Sequence, residues 1–189
     1  MAVRGEKAAA RRQQILDAAR DLMDTHSADF TLANIAAAAG TSVQTVLRAF
    51  GNKEGLIVEA VVGSPASLPT AQLAPQPASV REAVSEVFDD YEDIGDRVIW
   101  VLAQEHRIDG LQEVAEQGRQ HHRAWVDDAF AEHLTRLRGA ERRRVALALA
   151  AATDVYVWKL LRRDLGLDRT GAEAIVERLV RGVVNHQGV

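Results

Sequence analysis

The segment around residues 41–53 holds polar and cationic side chains at the spacing of one short helix. Thr45 and Arg48 fall on the side opposite the apolar Val46 and Phe50, as helical periodicity requires. Threonine and arginine are side chains that reach base edges and phosphates in a nucleic-acid groove, and the adjacent Gln44 is able to face a base. The spacing therefore predicts a helix face that recognises nucleic acid.

Two features of this helix leave alternatives open. Gln44 is either bound to its own backbone, in a capping box that begins at Thr41, or free to face a base while Ser42 alone caps the helix. Val43 and Leu47 either join the apolar core or lie against the methyl groups of thymine, which is the apolar contact that the major groove offers.

The preceding residues predict the helix that braces this one. Thr31 is an expected N-cap, and Phe30 and Ile35 occupy the two positions of a hydrophobic staple. Gly40 then supplies the backbone freedom of a tight turn. Two short helices joined in this way form a helix-turn-helix, whose second helix enters the major groove of DNA.

The flanking segments predict two further helices. Apolar residues at helical spacing over residues 7–25 indicate an amphipathic helix with a basic N-terminal end. Asn52 is expected to cap a helix over residues 53–62. The dipole and free N–H groups at the start of that helix, together with Lys53, favour a phosphate group.

These segments together resemble a known family. The shared pattern reads Arg12-x-x-Ile15-Leu16-x-Ala18-Ala19, Thr31-x-x-x-Ile35-Ala36-x-x-Ala39-Gly40-x-Ser42-x-x-Thr45 and Phe50-x-x-Lys53-Glu54-x-Leu56. It is similar to the DNA-binding domain of the TetR/AcrR family of bacterial transcriptional regulators and covers about the first third of the chain. The chain has Leu47 where that family usually has a phosphate-contacting tyrosine, and Ala49 where a histidine is frequent. This difference shifts the expected phosphate contacts towards Arg48 and Lys53.

The resemblance implies a double-stranded DNA operator as partner, and on this basis we expect Val43 and Leu47 to face DNA. The residues expected to contact bases or phosphates are Thr31, Thr41, Ser42, Val43, Gln44, Thr45, Leu47, Arg48 and Lys53. It further implies a homodimeric repressor of pseudo-palindromic operators, which a small-molecule effector releases. Two alternatives remain within the class: an activator, or a ligand-independent regulator controlled by a protein partner. A helical ligand carrier or enzyme on the same fold is the alternative from another class.

The composition changes after residue 62. All four prolines lie within residues 65–77, which predicts a linker over residues 63–78. The linker would separate a helix-turn-helix domain at residues 7–62 from a ligand-binding and dimerisation domain at residues 79–189. No window alternates apolar and polar residues with a period of two, so we expect an all-α chain.

Caps and glycines predict the helix limits in the second domain. Capping boxes at Ser79-x-x-Glu82 and Thr170-x-x-Glu173 predict where two helices begin. Gly95 is expected to break or kink the first long helix. Gly139 is expected to close a helix over residues 111–137, and Gly166 to stop the apolar stretch over residues 141–165.

The resemblance implies a small-molecule pocket in the second domain, and aromatic and histidine side chains of the middle helices are its candidate lining, with packing in the core as the alternative for each. The candidates are Trp100, His106, His121, His122 and Trp125. The last two helices have apolar faces wide enough to predict a dimer interface, with internal packing as the alternative. The candidates are Ala148, Ala152, Val155, Ile175, Leu179, Val180 and Val183.

The composition limits the remaining possibilities. The 189 residues include no cysteine, which excludes disulfides and thiolate metal sites. The formal charge of −4, with balanced charges up to residue 62, argues against coating of nucleic acid by bulk electrostatics. Catalytic motifs and helical metal-site spacings are absent, so we expect no enzyme activity, no metal and no cofactor. Short apolar runs and a charged N-terminus predict a cytoplasmic protein without a membrane partner.

Overall fold

The structure, a computed structural model, describes residues 2–25, 30–63 and 77–185. Every element in these ranges is helical, which confirms the all-α prediction. The helices are α1 (Ala2–Asp24), α2 (Leu32–Ala38), α3 (Val43–Phe50), α4 (Lys53–Val62), α5 (Val80–Gln104), α6 (Leu111–Ala129), α7 (Ala131–Leu134), α8 (Gly139–Ala152), α9 (Val155–Lys159), which continues as a π-helical turn (Leu160–Asp164), and α10 (Arg169–Asn185). Most of the predicted linker, including Pro65, Pro69 and Pro75, lies outside the described residues.

The chain divides into two compact units. The N-terminal unit comprises Met1–Ser67 with Asp96–Ala115, and the C-terminal unit comprises Leu68–Gly95 with Glu116–Val189. The end of α5 and the start of α6 therefore belong with the helices of the N-terminal unit. A domain boundary at residues 63–78 remains a prediction. In the structure, the N-terminal unit also contains a second segment of chain, Asp96–Ala115.

The apolar core of the N-terminal unit contains residues of α1, α2, α3 and α4. Ile15 of α1, Ile35 of α2, Val46 of α3 and Leu56 of α4 are fully buried in it. Each such side chain stabilises the fold by roughly 1.5–3 kcal/mol relative to exposure. Residues from α5 and α6 complete the same core: Val101, Leu111 and Ala115.

Two arginines add polar links within the N-terminal unit. Arg97 of α5 donates from Nε and Nη2 to both carboxylate oxygens of Asp24 in α1, at 3.0 and 2.6 Å. Arg12 of α1 pairs with Glu59 of α4 in the same two-pronged way. Its guanidinium also lies 4.2 Å from the centre of the Phe50 ring. These half-buried pairs are geometrically specific because a planar guanidinium matches a carboxylate.

Two capping boxes were predicted for the C-terminal unit, and one of them is wrong. Ser79 Oγ accepts from the Glu82 backbone N–H at 3.2 Å, which confirms Ser79 as the N-cap, while the Glu82 carboxylate accepts from the Ala78 N–H at 2.6 Å. At the other end of the unit, Asp168 Oδ1 accepts from the Gly171 N–H at 2.7 Å, so Asp168, not Thr170, caps α10. A carboxylate at this position also complements the positive end of the helix dipole.

The prediction that Gly95 breaks the first long helix is wrong, because α5 runs without interruption from Val80 to Gln104, whereas a kink at this residue stays a prediction. A Cβ atom at Gly95 would lie 2.6 Å from Cζ3 of Trp158. The glycine therefore makes room for a buried indole ring. Trp158 Nε1 donates to Glu92 Oε1 at 3.1 Å, which fixes the ring in that space.

Two predicted long helices are interrupted. The stretch over residues 111–137 breaks at Phe130, which is buried between α6 and α7. Gly139, with φ of 56°, begins α8 instead of closing the preceding helix. The stretch over residues 141–165 breaks at Thr153, after which Asp154 caps α9 by accepting from the Tyr156 N–H at 2.9 Å. Gly166, with φ of 65°, follows the last helical turn of this stretch.

None of the helices in the described ranges is long and apolar enough to span a membrane.

Candidate nucleic-acid interface

Hydrogen bonds at the helix starts set the geometry of α2 and α3. Thr31 Oγ1 accepts from the Asn34 N–H at 3.2 Å, and Ser42 Oγ accepts from the Thr45 N–H at 3.2 Å. Gly40 between them has φ of 59°, a left-handed conformation that glycine adopts without steric cost. Each cap stabilises its helix by about 1 kcal/mol. The Thr31 cap and the turn at Gly40 confirm the predictions from the sequence, and Ser42 is one of the two caps that the sequence left open for α3.

Ser42 also resolves the alternatives for Gln44. Because Ser42 caps α3, the capping box that begins at Thr41 is not formed, and Gln44 is exposed. The hydroxyl of Thr45 is 2.9 Å from that of Ser42, and either atom is able to donate. The side chain of Gln44 is therefore exposed and not part of that capping box, whereas the Thr45 hydroxyl already has a neighbour within the turn.

The two sides of α3 differ sharply. Val46 is fully buried, and Val43 and Phe50 pack partly buried against the same core. On the opposite side Leu47 and Arg48 are exposed, with 38% of Leu47 accessible to solvent. The expectation that both Val43 and Leu47 face outward therefore separates into two outcomes: Leu47 is on the open side, and Val43 is packed against the core.

The start of α4 provides a positive end near Phe30. Asn52 Oδ1 accepts from the Gly55 N–H at 2.7 Å, which confirms the predicted cap. Lys53 Nζ lies 5.3 Å from the centre of the Phe30 ring, a distance at which a cation is attracted to an aromatic face. The exposed Thr31 directly follows that phenylalanine. Free backbone N–H groups and a lysine are suited to an anion such as a phosphate.

Arg11 is a residue that the sequence-based assignment of contacts missed. It is exposed on α1, and its Nη1 lies 3.5 Å from Oγ1 of Thr41, just before α3. This adds a cation at the start of the recognition helix. The sequence indicated Arg11 only through the basic end of α1. The neighbouring Arg12 is bound internally to Glu59 and the Ala49 carbonyl, so only the fold distinguishes the roles of the two arginines.

The candidate pocket residues are divided between the two units. In the C-terminal unit the rings of His122 and Trp125 stack with centroids 5.9 Å apart, and Trp125 meets Phe130 edge-on at the same distance. Trp100 instead contacts Phe30 at 5.0 Å in the N-terminal unit, where it packs against the core.

The histidines also differ in surroundings. His106 is exposed in the N-terminal unit, with Nε2 3.5 Å from Glu105, whereas His122 Nε2 lies 3.0 Å from Thr153 Oγ1. Burial lowers the pKa of His122 from its ordinary value of 6.5. His121 is partly exposed. Across the described ranges, no three His, Asp or Glu side chains form a group suited to a metal ion.

The candidate residues of the dimer interface fall into three groups by their exposure. Ala152, Val155 and Val180 are buried within the subunit, as the alternative of internal packing predicts. Ile175 and Leu179, four residues apart on α10, are 39% and 47% exposed. Ala148 and Val183 are intermediate.

Comparison with known proteins identifies the N-terminal segment. Residues 15–60 match the family model described as "Bacterial regulatory proteins, tetR family". No curated protein matches the chain. The matched residues begin in α1, include the whole helix-turn-helix and end in α4. The N-terminal unit therefore carries the DNA-binding domain of the tetR family, and the chain is a DNA-binding transcription regulator.

Proposed function

We propose that the chain is a cytoplasmic homodimeric repressor, which binds a pseudo-palindromic operator and leaves it when a small molecule binds. The observation that carries this proposal is the division of α3 into a side anchored through Val46 and an open side with Gln44, Leu47 and Arg48. A recognition helix requires this division, because base reading needs a rigid helix with polar and apolar groups facing the major groove.

The proposed contacts follow from chemistry and exposure. Gln44 reads a base, Thr45 remains a candidate base contact whose hydroxyl also lies 2.9 Å from that of Ser42, and Leu47 lies against a thymine methyl group. Phosphates are bound by the cations and hydroxyls that surround α3 and the start of α4. This set consists of Arg11, Thr31, Thr41, Ser42, Arg48 and Lys53. Val43 acts mainly through the core, which holds α3 in place.

Dimerisation is supported by Ile175 and Leu179. Two large apolar side chains exposed on one row of α10 favour association, because an apolar surface gains free energy when it leaves water. The same row on a second copy would form an isologous interface. The two recognition helices of such a dimer would bind successive major grooves, about 34–36 Å apart.

Release would follow from linkage between two binding events. If the effector favours a spacing of the recognition helices that no longer matches the operator, ligand and DNA each weaken the other by the same factor. The stacked His122 and Trp125 place aromatic and polar groups together in the C-terminal unit, the combination usual in small-molecule sites.

The test is fluorescence anisotropy with the DNA that flanks the gene of this protein, against a random duplex of equal length. Arg48→Ala should weaken binding to both duplexes alike and lower the salt slope by about one. Gln44→Ala should change the preference between operator variants, with a discrimination of about 1–3 kcal/mol per base pair. Arg136→Ala, at an exposed arginine of the C-terminal unit, should leave both properties unchanged.

The outcomes separate the alternatives. A folded dimer that forms no specific complex at moderate salt would reject the regulator and favour a ligand carrier or enzyme on the same fold. In vitro transcription from the bound promoter then distinguishes a repressor from an activator. Specific binding that no compound in a thermal-shift screen alters would favour control by a protein partner.

A further inference from the structure

A groove of about 430 Å³ lies between α6 and α8 in the C-terminal unit, a volume within the roughly 300–1,000 Å³ usual for small-molecule sites. Its walls carry Arg123, Arg142 and Arg143, with Asp127 as their acidic counterpart. The lining is therefore net positive, although the chain has a formal charge of −4. The complementary occupant is an anion.

The groove also has an apolar side. Val126, Ala146, Leu147 and Ala150 line it, and 54% of Leu147 is exposed to solvent. The two alanines leave space above α8, and an occupant that covered Leu147 would remove apolar surface from water. The groove thus suits a molecule that has a hydrocarbon part as well as a negative charge.

The three arginines of the groove differ in their ion pairs. Arg142 Nη2 donates to Asp127 at 2.8 Å, and Arg123 Nη2 donates to Glu116 at 2.9 Å. Arg143 is exposed and forms no ion pair with any residue that the structure describes. Gly139, in the first turn of α8, lines the same groove, and this helix start has no side-chain cap. A headgroup placed at this end would meet a cation beside the positive end of the helix dipole.

We propose that this groove binds an amphipathic carboxylate. Its headgroup lies between Arg143 and the first turn of α8, and its hydrocarbon chain follows Ala146 and Ala150. The proposal that this carboxylate is also the effector rests on the release mechanism proposed above. Its binding to the groove does not depend on DNA.

The probe is sodium dodecanoate, below its critical micelle concentration, in isothermal titration calorimetry with the full-length protein. We expect saturable binding with one site per chain. Butyrate, which lacks the tail, and dodecyltrimethylammonium, which has the opposite charge, should bind at least about tenfold more weakly. Absence of saturable dodecanoate binding, or equal binding of the cationic amphiphile, would overturn the assignment.

Three variants test where dodecanoate binds. Arg143→Gln should weaken dodecanoate binding about tenfold, the effect of one charge-assisted hydrogen bond. Arg144→Gln removes the same charge from the next residue, which does not line the groove, and should change the affinity less than about twofold. Ala150→Phe should abolish binding by filling the groove. Equal losses in both arginine variants, or unchanged binding in Arg143→Gln with the far-ultraviolet circular dichroism preserved, would contradict the proposal.

Anisotropy of the operator complex distinguishes this proposal from the proposed function. Dodecanoate that binds through Arg143 and leaves the complex intact would retain the groove as a binding site and reject it as the effector site. A regulator that binds its operator specifically and does not bind dodecanoate would retain the proposed function and reject the groove.

Discussion

His122 connects two helices of the C-terminal unit through Thr153. The Thr153 hydroxyl donates to the Leu149 carbonyl at 2.9 Å, so it accepts from Nε2–H of His122 at 3.0 Å. The neutral ring therefore carries its proton on Nε2. Tyr91 donates to the carbonyl of the same threonine at 3.1 Å. Burial disfavours the charged imidazole, which is why the pKa of His122 lies below 6.5.

The direction of this pKa shift predicts a loss of stability in weak acid. Protonation is harder in the folded state, so the contribution of His122 is present above pH 6.5 and is lost as the pH falls through the lower native pKa. Urea unfolding at about pH 7.5 and about pH 5.5 should show a smaller decrease in stability for His122→Gln than for the unmodified protein. His106→Gln, at an exposed histidine, should retain the full decrease.

The space between Gly95 and the ring of Trp158 is too small for an added methyl group. Gly95→Ala should destabilise the protein by about 1–3 kcal/mol, because the new methyl group would overlap the rigid ring of Trp158. The higher helix propensity of alanine, about 1 kcal/mol, offsets this only in part. Gly118→Ala in α6 has nothing within 4 Å of its new Cβ and should be stabilising. Thermal unfolding at one protein concentration measures both, and an increase in stability for both would contradict the packing argument.

The start of α10 supports a prediction for a helical element. Asp168→Ala should lower the free energy of unfolding by about 1 kcal/mol, because it removes the acceptor of the Gly171 N–H. Thr170→Ala should have an effect within about 0.5 kcal/mol, as expected for a surface position without a cap. Urea unfolding measures the difference. A larger loss of stability in Thr170→Ala than in Asp168→Ala would support the capping box that the sequence predicted.

The limits of α2, α3 and α4 depend on nearby residues, and the sequence predicted these helices, although it missed the equally local cap of α10 at Asp168. The caps at Thr31, Ser42 and Asn52 each bind a backbone N–H three residues ahead, so local chemistry contains the required information. Gly95 was misinterpreted because its partner, Trp158, lies far along the chain. The same residue type serves a bend or a close approach, and only tertiary packing distinguishes them.

In the candidate nucleic-acid interface, too, contacts between residues far apart in the sequence limited what could be predicted. Helical periodicity correctly predicted that Arg48 is exposed opposite Val46. It did not separate Val43 from Leu47, because both lie at the margin of the apolar face and the neighbouring helices decide which one is covered. Arg11 was missed because its contact with Thr41 joins residues 30 positions apart. Sequence thus predicted the motif and much of its open face, but not the contacts that surround it.

Assembly of the whole molecule supports a prediction about Leu179. Leu179→Glu should convert the proposed dimer to a monomer, because it places a charge in an apolar interface. It should also weaken operator binding strongly, since two linked recognition helices gain from effective concentration. Ala174→Glu adds the same charge at an exposed position of the same helix and should leave the dimer intact. Light scattering after size exclusion measures both, and a dimeric Leu179→Glu variant would exclude this interface.

The distribution of the three tryptophans gives each unit its own optical reporter. Trp100 belongs to the N-terminal unit, where it contacts Phe30, whereas Trp125 and Trp158 belong to the C-terminal unit. Intrinsic emission of the unmodified protein therefore mixes signals from both. In a Trp100→Phe chain the emission comes from the C-terminal unit alone. Comparing its melting curve with circular dichroism, which follows all helices, tests whether the two units unfold as one cooperative system.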